Sequence, residues 1–546
     1  MDIGKIIEII KEKQPTISAE IIEKAYQLLN DELERFDSSE RKILHEQAVE
    51  AAIIAAEEKA QVECVCACLF FDLAKRDENL HAKIENKLGA EIGVLVKCYN
   101  YAEQKLREDR GRFDHSYRTA LKVASIRIGL TAVCTALMHE LPYHCHVTIE
   151  EIAEISNKEI AELVQHFQKL LWIKAPNNQQ YISHLREMVV AMAADLRVII
   201  IKMCSNIDRL KNRTLPSEDA LKICAIESKE ILAPLADLLG IWKLRWQLED
   251  YSFKILESEE YEKISRRFNI DEKKNRDKYI QKTKNILEKA AADAGIACQI
   301  DGRFKHFYSI YTKMKAKKKS FDDICDVFAL RVIVNSVDDC YRIVGIIHRL
   351  WRPRHRRFKD YIAAPKNNHY QSLHTTVFGL NGRATEFQIR TRAMNEEANY
   401  GIAAHWYYKN LKKKIPPWIQ ELLLKQQQYK NDEEFWAKFS SEILNSRIYV
   451  YTPKGDVISL PSGATPVDFA YHIHSEIGNK CAGAVVNDIQ VSLDHQLATN
   501  DVVQITVDRA KDGPSYEWLK FVKTNAAKKH IEDYFNKQEV ERRFRL

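Results

Sequence analysis

Between Gly302 and Arg392 the sequence gathers side chains suited to moving a phosphoryl-type group. Arg303, Lys305, Ser309, Lys313, Asp326, Lys359, Lys366, Asn368, Tyr370, His374, Glu386, Gln388 and Arg390 all fall in this stretch. Two carboxylates on separate strands, surrounded by cations, suit a magnesium ion with phosphates attached. In such a transfer the ion and the cations neutralise developing charge, and a base takes the proton of the acceptor hydroxyl. Tyr370 adds a ring on which a nucleobase can stack. Singly, each is an ordinary surface or core residue; the combination carries the signal.

The elements that must position them are legible in part. Glu386-Phe387-Gln388-Ile389-Arg390 alternates polar and apolar. That is the strand period, and it puts Glu386, Gln388 and Arg390 on one face with Phe387 and Ile389 in a core. Phe328 to Val334 is apolar and β-branched, which predicts a buried strand with Asp326 at its entrance. Lys305 to Lys317 predicts a basic amphipathic helix, in which Lys305, Ser309 and Lys313 recur on one face. Basic clusters at Arg349, Arg352, Arg354, Arg356, Arg357 and Lys359, and at Lys315 to Lys319, suit phosphate-rich ligands or RNA; solvated loops are the plain alternative.

At 546 residues the chain is too long for one core, and two to four domains are expected. Hydrophobic residues at 45% and charged residues at 29% are ordinary for a globular protein, and a net charge of +6 does not by itself imply nucleic acid. The N-terminus has no apolar h-region, and the most apolar stretch, Met188 to Cys204, is broken by Asp195 and Arg197, so no membrane span is expected. Twelve cysteines, mostly in apolar settings, read as buried thiols of a reducing cytoplasm.

Residues 1 to 240 read as nearly continuous helix, including Glu57-Glu58-Lys59 and Asp219 through Leu239, with Pro216-Ser217 as a stop and N-cap. ECVCACLFFDL (63–73) can be laid over TAVCTALMHEL (131–141), which suggests a duplicated helix pair. The second copy carries His139-Glu140. Metal phosphohydrolases of the HD type gather a His, a His-Asp pair and a later Asp around one ion, because the ion must hold a water at lowered pKa. The matching places are read as Thr119, Glu140 and Ser205; the first copy keeps His45 and Asp72 but has Phe71 for the paired His. On this reading the helical half has lost the hydrolase and serves regulation.

GRFKHFYSIYTKM, DICDVFALRVIV, RFKDYIAAPKNNHYQSLHTT, EFQIRT and GIAAHWYYK, all between residues 302 and 408, closely resemble the synthetase domain of long RelA/SpoT homologues, the enzymes that make (p)ppGpp. Residues 447–507, from RIYVYTPKGDVISLPSG onward, resemble that family's TGS domain, with turn signals at Pro453-Lys454-Gly455, Pro461-Ser462-Gly463 and Asn487-Asp488. The resemblance implies a multidomain α plus α/β chain: a helical, degenerate HD-type domain (1–240), a mixed α/β nucleotidyltransferase-like synthetase domain (241–410), a helical linker (411–446), a small β-grasp TGS domain (447–508) and the start of a helical C-terminal region (509–546). It also implies pyrophosphate transfer from ATP to the 3′-hydroxyl of GDP or GTP. Arg303 would stack on adenine, and Lys305, Ser309 and Lys313 would hold the ATP phosphates. Asp326 and Glu386 would bind Mg2+, and Glu386 would help deprotonate the hydroxyl. Tyr370 would stack on guanine, with Lys359, Lys366, Asn368, His374 and Gln388 around the acceptor. The TGS part would meet the ribosome and uncharged tRNA, with His472 and His474 as contact candidates.

Three features depart from the family pattern. His369 stands where the family has Gly, which affects the backbone freedom beside Tyr370. Arg357-Phe358-Lys359-Asp360 is the basic form seen in members with both activities. The chain stops at Leu546, before the zinc-finger-like and ACT-type domains of long members, and so reads as a shortened form. Two other readings stand beside the synthetase: a catalytically weak regulator that binds ribosome, tRNA or nucleotide, and a manganese-dependent hydrolase using His45, Asp72, His139 or Glu140.

Overall fold

The computed structural model describes residues 3–13, 19–77, 79–170, 188, 190–191, 194–267, 270–303, 306–317, 328–355, 357–363, 365, 370–401, 403, 447–453, 457–498, 501–508 and 510–544. The chain divides into two compact units, Met1–Asp432 and Glu433–Leu546.

The first unit begins with helices from α1 (Ile3–Lys13) to α11 (Lys158–Gln168). They are less continuous than the sequence reading expects. One helix stops at Glu57, and Lys59 turns the chain at a left-handed φ of 63°. The segments laid over each other form short buried helices, α4 (Val62–Cys68) and α8 (Leu130–Met138). Helix α12 (Leu196–Asn212) follows, then α13 (Glu218–Glu227), capped as expected by Ser217, whose Oγ accepts from the Ala220 amide at 3.1 Å. A π-turn (Ser228–Leu232) leads into α14 (Ala233–Leu238), α15 (Trp242–Leu256) and α16 (Ser258–Arg266). Among the described residues no helix is long and apolar enough to cross a membrane.

After α17 (Ile270–Asp293) comes a five-stranded mixed sheet, in the order β1 (Cys298–Arg303), β2 (Phe328–Val334), β5 (Ala384–Thr391), β4 (Leu373–Phe378), β3 (Lys359–Asp360). Strands β2 and β5 are parallel; the other pairs are antiparallel. Both strands predicted from pattern are present. Leu330, Val332, Phe387 and Ile389 share one core with Leu287 and Ala291 of α17 and Ile343 and Ile347 of α19 (Val337–Leu350). Burying each such side chain is worth roughly 1.5–3 kcal/mol. The helices therefore cover one face of the sheet, and the alternate residues carry a polar second face.

The helical and sheet parts meet where α20 (Arg392–Tyr400) ends. Arg127 lies 3.6 Å from Glu396, and the Arg127 and Lys243 cations sit 5.4 and 5.7 Å from the Tyr400 ring. Gly401, at φ 52°, ψ −130°, presses against the Leu239 carbonyl, which a β-carbon would approach to 2.1 Å. Gly401→Ala is expected to cost roughly 3–5 kcal/mol, from backbone strain plus the clash, and a lowered thermal unfolding midpoint would show it.

In the second unit β6 (Arg447–Tyr451) pairs with β7 (Val457–Pro461), and β8 (Cys481–Val486) lies between β10 (Val503–Val507) and β9 (Ile489–Val491). The β8–β9 hairpin turns at Asn487-Asp488, both at positive φ (51° and 65°), as the turn signal predicts. Helix α21 (Pro466–Ile473) buries Asp468, which accepts from the backbone amides of Thr465, Lys523 and Thr524 and so ties α21 to the segment before α23 (Asn525–Phe544). Asp468→Ala would strand these donors, and a loss of about 3 kcal/mol or more is expected in denaturant melts.

Candidate functional site

The polar face of the sheet is built in rows. One row crosses it as Lys359 (β3), His374 (β4), Gln388 (β5), Arg331 (β2) and Asp301 (β1), each opposite the next. The adjacent row runs Thr376, Glu386, Ala329, Arg303. Strand spacing puts the backbones of Glu386 and Arg303 about 10 Å apart, and the residue between them is only an alanine. A strand of alternating residues thus sets Glu386, Gln388 and Arg390 side by side, as its pattern predicts.

Within this face the side chains form a connected set. The Tyr370 hydroxyl is 2.8 Å from His374 Nε2, and His374 Nδ1 is 3.4 Å from Glu386 Oε1. A carboxylate only accepts, so the arrangement suits a ring that donates from Nδ1 and accepts the phenol proton at Nε2. Gln388 Nε2 donates to the same Glu386 oxygen at 3.4 Å. Tyr361 stands edge-on to His374 and Tyr370, with centroids 5.2 and 6.0 Å away, and the Arg390 guanidinium lies 5.8 Å from the Tyr370 ring. The carboxylate is thereby held in a field of donors beside an aromatic cluster.

Ser309 and Lys313 lie one turn apart on α18 (Phe307–Lys317) and are half-buried. Lys359 is exposed at the sheet edge. Arg303 is placed in β1 by its backbone. Asp326, Lys305, Lys366, Asn368 and His369 lie outside the described residues. Sequence reasoning placed Arg390 on the Glu386 face without a specific contact and missed Arg331, whose signal was a single cation inside the apolar run Phe328 to Val334.

A second cluster corrects the reading of the helical half. His115 Nε2, His139 Nε2 and a Glu140 oxygen lie within 4.8 Å of one another, all buried. His115, not Thr119, is the α7 (Arg110–Ala124) residue that meets His139-Glu140; on α12 the Ser205 hydroxyl lies 3.1 Å from its Nε2, and Asp208, about a turn on, is the acid that meets its Nδ1. The slip from Thr119 to His115 is one helical turn, and residues a turn apart share a face, so spacing alone could not choose. His115 Nδ1 donates to Asp208 at 2.7 Å, which aims its Nε2 inward, and Arg118 and Asn212 donate to Asp208 at 2.7 Å. His139 Nδ1 donates to the Ala136 carbonyl at 2.7 Å, which leaves its Nε2 facing Glu140 Oε1, 3.3 Å away. Burial lowers His115 to about 4, against the pull of its Asp208 bond. Burial pushes Glu140 up, but the His139 and His144 imidazoles and the Arg209 guanidinium outweigh it and hold the carboxyl well below the usual range. The Arg209 guanidinium bridges Glu140 Oε1 (2.5 Å) and His115 Nε2 (3.4 Å). Acceptors converging on one point are a donor set that fits a divalent cation, and two His with a Glu is a common catalytic set. His45, in contrast, pairs with Tyr26 (2.8 Å), Asp72 pairs with Lys75, and neither joins the cluster.

In the second unit His472 and His474 are both exposed, and His474 Nδ1 caps the next helix by accepting from the Glu476 amide at 3.2 Å.

Comparison with known proteins agrees with this layout. Residues 302–413 match a region found in RelA / SpoT proteins, residues 448–507 a TGS domain, and residues 97–242 an HD domain. The chain is 41% identical over 462 residues to an Aquifex aeolicus protein named guanosine-3′,5′-bis(diphosphate) 3′-pyrophosphohydrolase, covering 82% of this chain and 65% of that one. It is 36% identical over 471 residues to a GTP pyrophosphokinase of Myxococcus xanthus, covering 84% and 62%. It is 37% identical over 492 residues to a bifunctional (p)ppGpp synthase/hydrolase RelA of Mycobacterium tuberculosis, covering 85% and 65%. The chain spans slightly under two thirds of the length of these relatives.

Proposed function

The chain belongs to the RelA/SpoT family, and on that premise we propose that its mixed-sheet region, within residues 241–410, is a (p)ppGpp synthetase. It transfers the β,γ-pyrophosphate of ATP to the 3′-hydroxyl of GDP or GTP. The observation that carries this is the Tyr370–His374–Glu386–Gln388 set on an otherwise polar sheet face. The acceptor 3′-oxygen bonds to the β-phosphorus, the bond to the α-phosphate oxygen breaks, AMP leaves, and Glu386 receives the hydroxyl proton. His374 and Gln388 fix that carboxylate, and Tyr370 stacks on guanine, with Lys359, Lys366 and Asn368 around it. On the donor side Arg303 stacks on adenine, while Lys305, Ser309 and Lys313 hold phosphates. Asp326 and Glu386 would hold Mg2+, which when bound would spread the negative charge that builds on the transferred group. The chemistry is that of a cytoplasmic protein, and incubation with ATP, GDP and Mg2+ followed by chromatography for ppGpp tests it. In the second unit, the TGS region with His472 and His474 is proposed to contact uncharged tRNA on the ribosome.

A second reading is favoured by the His115–His139–Glu140 cluster: removal of the 3′-pyrophosphate in the helical half. His115, His139 and Glu140 would hold a divalent ion, which would supply a water of lowered pKa. Relatives bear names for each activity and for both together.

A further inference from the structure

Among the described residues, helix α18, which carries Ser309 and Lys313, packs on α15 and α16 rather than on the sheet. Its apolar side, Phe307, Tyr308, Ile310, Tyr311 and Met314, packs on Phe253 of α15 and Tyr261 and Ile264 of α16. Its first turn is gripped from α15 as well. Asp250 accepts the Tyr308 amide at 2.9 Å and the Phe307 amide at 3.2 Å, one to each oxygen. These are amides that a helix start leaves without partners, and a carboxylate there also opposes the positive end of the helix dipole. A turn further on, Glu257 of the same region accepts the Tyr311 hydroxyl.

We propose that Asp250 is a positioning residue for the ATP-phosphate side chains: its two-pronged grip fixes the axial position and rotation of α18, and with them Ser309 and Lys313. This rests on the synthetase reading of that helix. Burial pushes the Asp250 carboxyl up to about 6, against the two amide bonds, and Glu249 pushes it further in the same direction. The groups facing it are Glu249 and Tyr251 on its own helix, Tyr261 from α16, and His306 and Tyr308 at the α18 start. His306 Nδ1 is 3.8 Å away, with its ring stacked on Trp246 at 4.2 Å. A raised pKa means that ionised Asp250 opposes folding. Its protonation below about 6 therefore favours the folded chain while weakening the grip on α18. Stability and ATP binding move in opposite directions with this one proton.

The test is binding of a fluorescent ATP analogue to the full chain, with steady-state kinetics in parallel. Asp250→Ala is expected to weaken ATP binding about tenfold, as the loss of a charge-assisted bond does, and to leave the GDP KM within about twofold. Asp250→Asn keeps an acceptor and is expected to bind within a few-fold of wild type. Wild-type affinity should fall as the pH drops through about 6. Asp250→Asn should lack that extra fall, while His306→Gln should retain it; the titration of ATP itself is common to all three. If wild type binds and the Asp250 variants bind equally with the same pH course, the positioning role is wrong and the synthetase reading stands. If wild type binds no ATP analogue, both fall.

Discussion

Glu386→Gln is expected to abolish ppGpp formation, by about 10³-fold or more, with the fold unchanged. A general base is worth 10²- to 10⁴-fold, and this carboxylate is also proposed to hold the ion. The substitution is close to isosteric. Glu386 is only half-buried and its neighbours His374 and Gln388 can hydrogen-bond an amide, so the β2–β5–β4 ladder should survive. Chromatography of the reaction with ATP, GDP and Mg2+ reads the loss, and circular dichroism reads the fold. GDP affinity should change little, because guanine stacking is proposed for Tyr370. A variant that still makes product at the wild-type rate would remove Glu386 from the chemistry. A wild type that binds nucleotide yet makes no product, even with ribosomes and uncharged tRNA, would leave a binding role instead.

The second large effect is expected in the helical half. Electron paramagnetic resonance should detect Mn2+ bound by the wild type and none bound by His139→Asn. Hydrolysis of the 3′-pyrophosphate should fall at least about 10³-fold, the order expected when a water at lowered pKa is lost. His139 is fully buried and touches the cluster only through Nε2, so the substitution removes a ligand atom at the centre of the set. For an ion to enter, Arg209 must leave the bridge between Glu140 and His115, and the Ser205 hydroxyl must turn away from His115 Nε2. Arg209→Gln is therefore expected to bind Mn2+ more tightly than wild type. No bound Mn2+ in either protein would return the helical half to the regulatory role that its sequence first suggested.

What the sequence revealed depended on whether local periodicity or tertiary convergence decided the matter. Strand β5 was readable because Phe387 and Ile389 alternate with polar residues, and a one-residue slip would bury Glu386. Ser217 was readable as a cap because caps act within three residues. The metal-type cluster was half-readable: His139-Glu140 stood out as adjacent residues, but its partners His115 and Asp208 lie on other helices, where a whole-turn error leaves the pattern intact. Asp250 was invisible, since nothing in WKLRWQLEDY announces that its carboxylate will meet amides 57 and 58 residues later.

The seating of α18 on α15 and α16 bears on how the catalytic region can be excised. A fragment starting just ahead of α17 would retain the five-stranded sheet and the helices that cover it, yet Phe307, Ile310 and Tyr311 would face water and lose the surface that orients them. Such a piece should keep an ordered acceptor platform, clump through its bared aromatics, and hold ATP poorly. A cut placed before Trp242 would keep that surface with the sheet.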